Sequence, residues 1–82
     1  MNQIVTPPSR LGAVIQTHRL GKGPTQTELA TLAGTQQKTI SAIENGSAGT
    51  RLDTLISVIA VLGLDLQIVP RQNGSISIED VF

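Results

Sequence analysis

Apolar positions along the chain recur at two different intervals, and the change of interval divides it. As far as Leu62 they come every three or four residues, the spacing that lines up one face of a helix. Leu11, Val14, Ile15 and His18 form the first such stripe, predicting a helix from Arg10 to about Leu20. Pro7 and Pro8 disfavour helix before them, and Ser9 is placed to cap this first helix. The run Gly21, Lys22, Gly23, Pro24 interrupts the pattern. Leu29, Ala30 and Ala33 then supply the inner face of a second helix. Thr25 and Glu28, spaced T-x-x-E, predict a capping box at its start, and Gly34 a left-handed end. A third helix is expected from Thr35 or Gln36 to about Asn45, with Ile40 and Ile43 inward and Gly46 ending it. Thr50 and Asp53 repeat the capping-box spacing. Leu52, Leu55, Ile56, Ile59, Ala60 and Leu62 predict a strongly apolar fourth helix closed by Gly63. Val58 and Val61, with Ile59, widen its stripe beyond one face, so part of it is expected to meet a partner subunit.

The interval then falls to two. Leu64, Leu66 and Ile68 alternate with Asp65 and Gln67, the pattern of a half-buried strand, and Pro70 closes it. Gln72-Asn73-Gly74 is a turn signal, and Ser75 to Ile78 alternate again, as a hairpin would. A lone hairpin is marginal in water. The strand is therefore expected to pair with its copy in a second chain, with Leu64, Leu66 and Ile68 as dimerisation residues. The expected fold is mainly α: a flexible arm over residues 1–9, a domain of four to five helices over 10–63, and a dimerisation strand or hairpin with its tail over 64–82.

Composition narrows what such a fold does. The 82 residues are 39% hydrophobic and only 1% aromatic, so the core must be aliphatic. There is no Cys, which excludes disulfides and thiolate metal sites, and the single His18 leaves no zinc cluster. His18 reads as a partly buried packing residue. No metal and no cofactor are implied. No apolar run approaches the roughly 20 residues that span a bilayer, and no signal-peptide core precedes the first helix. A soluble cytoplasmic protein is the default expectation. No spaced carboxylate pair is present, and Gly21-Lys22-Gly23 lacks the flanks of a phosphate loop. Catalytic residues are thus not expected, and the chain is not read as an enzyme. Net charge is zero, unusual for a nucleic-acid binder. The charge is uneven, however: five basic against two acidic residues through Arg51, and one basic against four acidic beyond it.

Two short helices with a small-residue turn are the helix-turn-helix pattern, and residues 25–46 fit it. Gly34 allows the sharp swing, and Ala30 and Ala33 allow close approach. With Ile40 and Ile43 inward, the other face of the third helix carries Gln36, Gln37, Lys38 and Ser41. These types suit base edges: Gln pairs with adenine through two bonds, Lys with guanine, Ser with either. They stand at the end of the helix that enters the major groove in this motif. Thr25, Gln26, Thr39, Ser47 and Thr50 suit phosphates. Taken alone, Gln36, Gln37 and Lys38 would read as a solvated helix start. Arg51 reads equally as a phosphate contact or a first-turn residue. The tail Ile78 to Phe82 reads as a frayed terminus or a short docking segment.

The segment LGAVIQTHRLGKGPTQTELATLAGTQQKTISAIENG resembles the phage repressors, Cro proteins and Xre-type regulators, through TQTELATLAG and TISAIENG above all. The continuation RLDTLISVIAVLGLDLQIVPR is similar to one branch, the HipB-like antitoxins. The resemblance implies a lambda-repressor-like domain and a strand pairing across a homodimer. It implies that Gln26 anchors a phosphate and braces the reading residues, that Gln37, Lys38 and Ser41 read bases beside Gln36, and that Thr39 touches a phosphate. Arg19 and Glu44 match a family ion pair. Three residues depart from the pattern: Pro24 replaces an apolar helix-leading residue, Gln36 replaces a Ser or Thr cap, so that Thr35 is expected to cap, and Ala42 replaces a longer reading residue. The function implied is a repressor of double-stranded DNA at an inverted-repeat operator, which also neutralises a HipA-like serine/threonine kinase toxin. Two other readings are a stand-alone repressor without a toxin, and an interaction module that has lost DNA binding.

Overall fold

The computed structural model describes residues 7–70, in which four α-helices follow one another: α1 Pro8–Lys22, α2 Gln26–Ala33, α3 Gln37–Glu44 and α4 Leu52–Val61. The first six residues of the expected arm, the Gln72–Gly74 turn, the second alternation at Ser75 to Ile78 and the tail lie outside the described residues. No described helix is long and apolar enough to cross a membrane.

Helix α1 runs further in both directions than the sequence pattern indicated. Pro7 is its N-cap, with no side-chain bond, and Pro8 is its first residue. Proline lacks the N–H that a first-turn residue would leave unsatisfied, so Ser9 is not needed as a cap and sits inside the helix. At the other end Gly21 stays helical. The left-handed turn falls at Gly23, φ 103°, whose N–H donates to the Arg19 carbonyl at 2.9 Å.

The capping box of α2 is formed: the Glu28 N–H donates to the Thr25 hydroxyl at 3.0 Å, and the Thr25 N–H to the Glu28 carboxylate at 2.8 Å. Gly34, φ 74°, ends the helix, and the Thr35 N–H donates back to Ala30 at 2.9 Å. Thr35 is thereby spent on the α2 terminus. The N-cap of α3 is Gln36, without a side-chain bond, so the expected Thr35 cap is not made. The second capping box is also absent. Arg51 is the N-cap of α4, which puts Asp53 one position short of where a box partner must stand. Asp53 instead accepts from the Thr54 N–H at 2.8 Å and from the Arg51 guanidinium.

Ile15, Leu29, Ala30, Ile40, Ile43, Val58 and Leu62 make one buried cluster, with Leu11, Ala33, Leu55, Val61 and Leu64 packed against it. Each helix contributes, so none of the four is a stable unit alone. Helix α4 faces the core through Val58 and Leu62. That rotation corrects two expectations: Val58 has no exposed surface for a partner, while Leu52 and Ile56, expected to face inward, are exposed. Helices α1 and α3 approach until backbone meets backbone at Gly12. A Cβ there would overlap the Ile43 carbonyl oxygen and lie 2.8 Å from that of Glu44.

Residues 64–70 form no strand among the described residues. The Leu64 N–H closes α4 by donating to Ile59 at 3.0 Å, and its side chain packs on the core. This is a helix-ending motif with its hydrophobic contact. Leu66, Ile68 and Val69 are exposed, and a strand needs a neighbour to bond with, which this segment lacks within the described chain.

Candidate nucleic-acid interface

Helix α3 is sorted into two sides. Ile40, Ile43 and Glu44 are buried, whereas Gln36, Gln37 and Lys38 at its start are exposed. Thr39 and Ser41 are half-buried beside them. Isoleucines at positions 40 and 43 hold the axis of the helix, and the polar side chains at its N-terminal end face away from the domain. Ser41 lies beside Asn45, whose amide is 3.5 Å from the serine hydroxyl.

A chain of polar contacts links that outer end to the interior. The Arg19 guanidinium donates twice to the Glu44 carboxylate, through Nε at 2.6 Å and Nη2 at 3.1 Å, and once to the Pro24 carbonyl at 3.1 Å. Pro24 thus contributes a backbone acceptor. Glu44 Oε1 also accepts from Gln26 Nε2 at 3.0 Å, and Gln26 Oε1 accepts from Gln37 Nε2 at 2.6 Å. Burial opposes the charge on Glu44, but the hydrogen bonds from Arg19 and Gln26 and the positive charge of Arg19 outweigh it, and its pKa is lowered. The bond to Glu44 likewise raises the pKa of Arg19 against the cost of its own burial. Both groups are therefore charged across the physiological range. No buried side-chain polar atom among the described residues is left without a partner.

On the other flank, five of the expected contact residues share one concavity of about 450 Å³: Lys38, Thr39, Ser47, Thr50 and Arg51. Thr35 and Thr54 also line it, from the turn before α3 and the first turn of α4. The sequence pattern did not mark either as a contact residue: Thr35 read as a helix cap, and a lone threonine in a first turn carries little signal by itself. Arg51 is exposed but paired with Asp53 at 3.1 Å. An exposed pair of this kind is worth little and opens readily. The hydroxyl of Ser47 accepts from the Gly49 N–H at 3.4 Å. Thr25 stands apart, its hydroxyl engaged in the α2 cap. The expected residues thus fall into a bonded pair, Gln26 and Gln37, and a cluster around the concavity. Thr25, Gln36 and Ser41 lie in neither group.

A helix-turn-helix family profile matches residues 15–69. The chain belongs to that family. Within this helix-turn-helix family it is HipB-like. It is 33% identical over 73 residues to the antitoxin HipB of Escherichia coli, covering 89% of this chain and 83% of that protein. An uncharacterised HTH-type transcriptional regulator of Haemophilus influenzae is 43% identical over 54 residues, 66% of this chain and just 55% of that relative. Among solved structures, a chain of a HipA-HipB-O2-O3 complex superimposes with a TM-score of 0.79 at 31% identity, over 87% of this chain and the whole of that one. These relatives are named as regulators and antitoxins rather than enzymes.

Proposed function

We propose that this HipB-like helix-turn-helix protein acts as a homodimeric repressor that sets two α3 helices into successive major grooves of an inverted-repeat operator. The observation that carries the reading is the sorting of α3, whose start presents Gln36, Gln37 and Lys38 to solvent while Ile40, Ile43 and Glu44 anchor it. Gln37, Lys38 and Ser41 read bases; Gln36 assists. Thr39, Ser47, Thr50 and Arg51 hold phosphates along the concavity, and Gln26 and Thr25 do so at the start of α2. Two recognition helices about 34 Å apart set the half-site spacing.

Dimerisation supplies what one neutral chain lacks. Leu66 and Ile68, with Leu52 and Ile56 nearby in sequence on α4, offer exposed apolar side chains. Residues 64–69 pair as a strand with their copy in the second chain, Leu64 helping from the edge of its own core. The partner beyond DNA is a kinase toxin of the HipA type, by likeness to the HipA-HipB-O2-O3 complex. A stand-alone repressor would purify without such a kinase when the neighbouring genes are expressed together. The decisive test is Gln37→Ala in selection of sites from randomised duplex DNA. The variant should lose base preference at one pair per half-site, at about 1–3 kcal/mol. Unchanged preference at every position would remove α3 from the groove.

A further inference from the structure

The polar chain from Arg19 to Gln37 has a direction, and we infer that Glu44 is a positioning residue for base readout, fixing which atoms Gln37 offers to DNA. The inference rests on the reading of α3 as the recognition helix. Glu44 is buried, its side chain 2% exposed, against an arginine that is always charged. An ionised carboxylate only accepts hydrogen bonds. The Gln26 atom facing it must therefore be the amide nitrogen, as found at 3.0 Å. That turns the Gln26 oxygen the other way, and an oxygen also only accepts. Gln37 must answer it with its own amide nitrogen, as found at 2.6 Å. One of the two N–H groups of Gln37 is thereby spent. One N–H and the carbonyl oxygen remain.

That remaining pair matches adenine, which presents an acceptor at N7 and a donor at N6 in the major groove. With the polarity reversed, Gln37 would bond Gln26 through its oxygen and keep two N–H groups, which match the two acceptors of guanine. A buried charge on the far side of α3 thus decides between two bases that it never touches. Arg19 acts one step further back, by keeping Glu44 ionised and aimed.

The test separates positioning from scaffolding. In Arg19→Met/Glu44→Leu an apolar pair of similar bulk replaces the ion pair, an exchange that buried pairs often tolerate without loss of stability. Thermal melting should show the double variant folded. Site selection from a randomised duplex library should show the preference for adenine over guanine at the Gln37 base pair reduced about tenfold. The conservative Glu44→Gln keeps one oxygen for Gln26 and loses an acceptor for Arg19. It should melt lower yet retain the preference. If the folded double variant kept the full preference, or folded Glu44→Gln lost as much of it as the double variant, the role would be overturned. Should the double variant not fold, Gln26→Met cuts the same chain without touching the ion pair, and an unchanged preference in it would overturn the role equally. Gln37→Ala run in parallel isolates the underlying reading: if it alters no base pair, α3 does not read DNA, and the failure lies there instead.

Discussion

At the scale of single residues, two buried features govern how firmly α3 is held. Gly12 is one. Its missing side chain lets α1 rest against the Ile43 and Glu44 carbonyls, so Gly12→Ala must push the two helices apart. A loss of about 1–3 kcal/mol is expected in urea unfolding, the usual cost of overfilling a packed site. Any smaller loss would mean that α1 shifts freely. Glu44 is the other. Its pKa lies below the ordinary 4.5, so the stability it contributes is present above that value and is lost as pH falls through its lower folded value. Unfolding midpoints should hold from neutral pH to about pH 5 and fall below it. Glu44→Gln should flatten the fall more than Glu28→Gln, because Glu28 is exposed although its pKa too is lowered, by its bonds with Thr25. Equal flattening would deny the buried pair its share. Gly12 itself was not legible in the sequence. A glycine inside a helical stripe leaves the spacing undisturbed, and its partners come from another helix.

At the scale of elements, local rules were legible where both partners lie within one turn of chain. Thr25 and Glu28 cap α2 as their spacing indicates, and Gly34 ends it. The same T-x-x-D spacing at Thr50 misled, because α4 begins one residue later and a cap works only in register. The facing of α4 was ambiguous for a related reason: a helix apolar on several sides does not say which side is inner. Packing of Val58 and Leu62 against the other helices decided it. The turn between α2 and α3 gives a contrast with Gly12. Gly34 has φ 74° and nothing within 4 Å of an added Cβ. Gly34→Ala should therefore cost only the left-handed conformation, about 1 kcal/mol, without moving the helices. Chemical-shift changes limited to the turn, together with a small drop in the urea midpoint, would verify this. Changes spread across α1 and α3 would contradict it.

At the scale of the whole molecule, the even balance of charge and the exposed apolar residues point to assembly. Cutting the chain after Gly63 removes Leu66 and Ile68 while leaving the core cluster apart from Leu64. Light scattering should show a dimer for the full chain and a monomer for the shortened one, whose helical circular dichroism persists. A shortened chain that stayed dimeric would move the interface to α4. The concavity beside α3 was only partly legible at this scale. Lys38 and Arg51 announced themselves by charge, but their meeting with Thr35 and Thr54 depends on how a turn and two helices fold together.

The division of α3 into a held side and an open side has a consequence for how such a protein changes over time. If α3 reads DNA as proposed, changes at Lys38, Ser41 and Ala42, none of which joins the polar chain to Glu44, should retarget the operator with little effect on folding. Gln37 is different. Its amide is bonded into a chain that ends in the Arg19–Glu44 pair, and a new residue there breaks an arrangement shared by three helices. Divergence among duplicated copies should begin at those three positions and reach position 37 last.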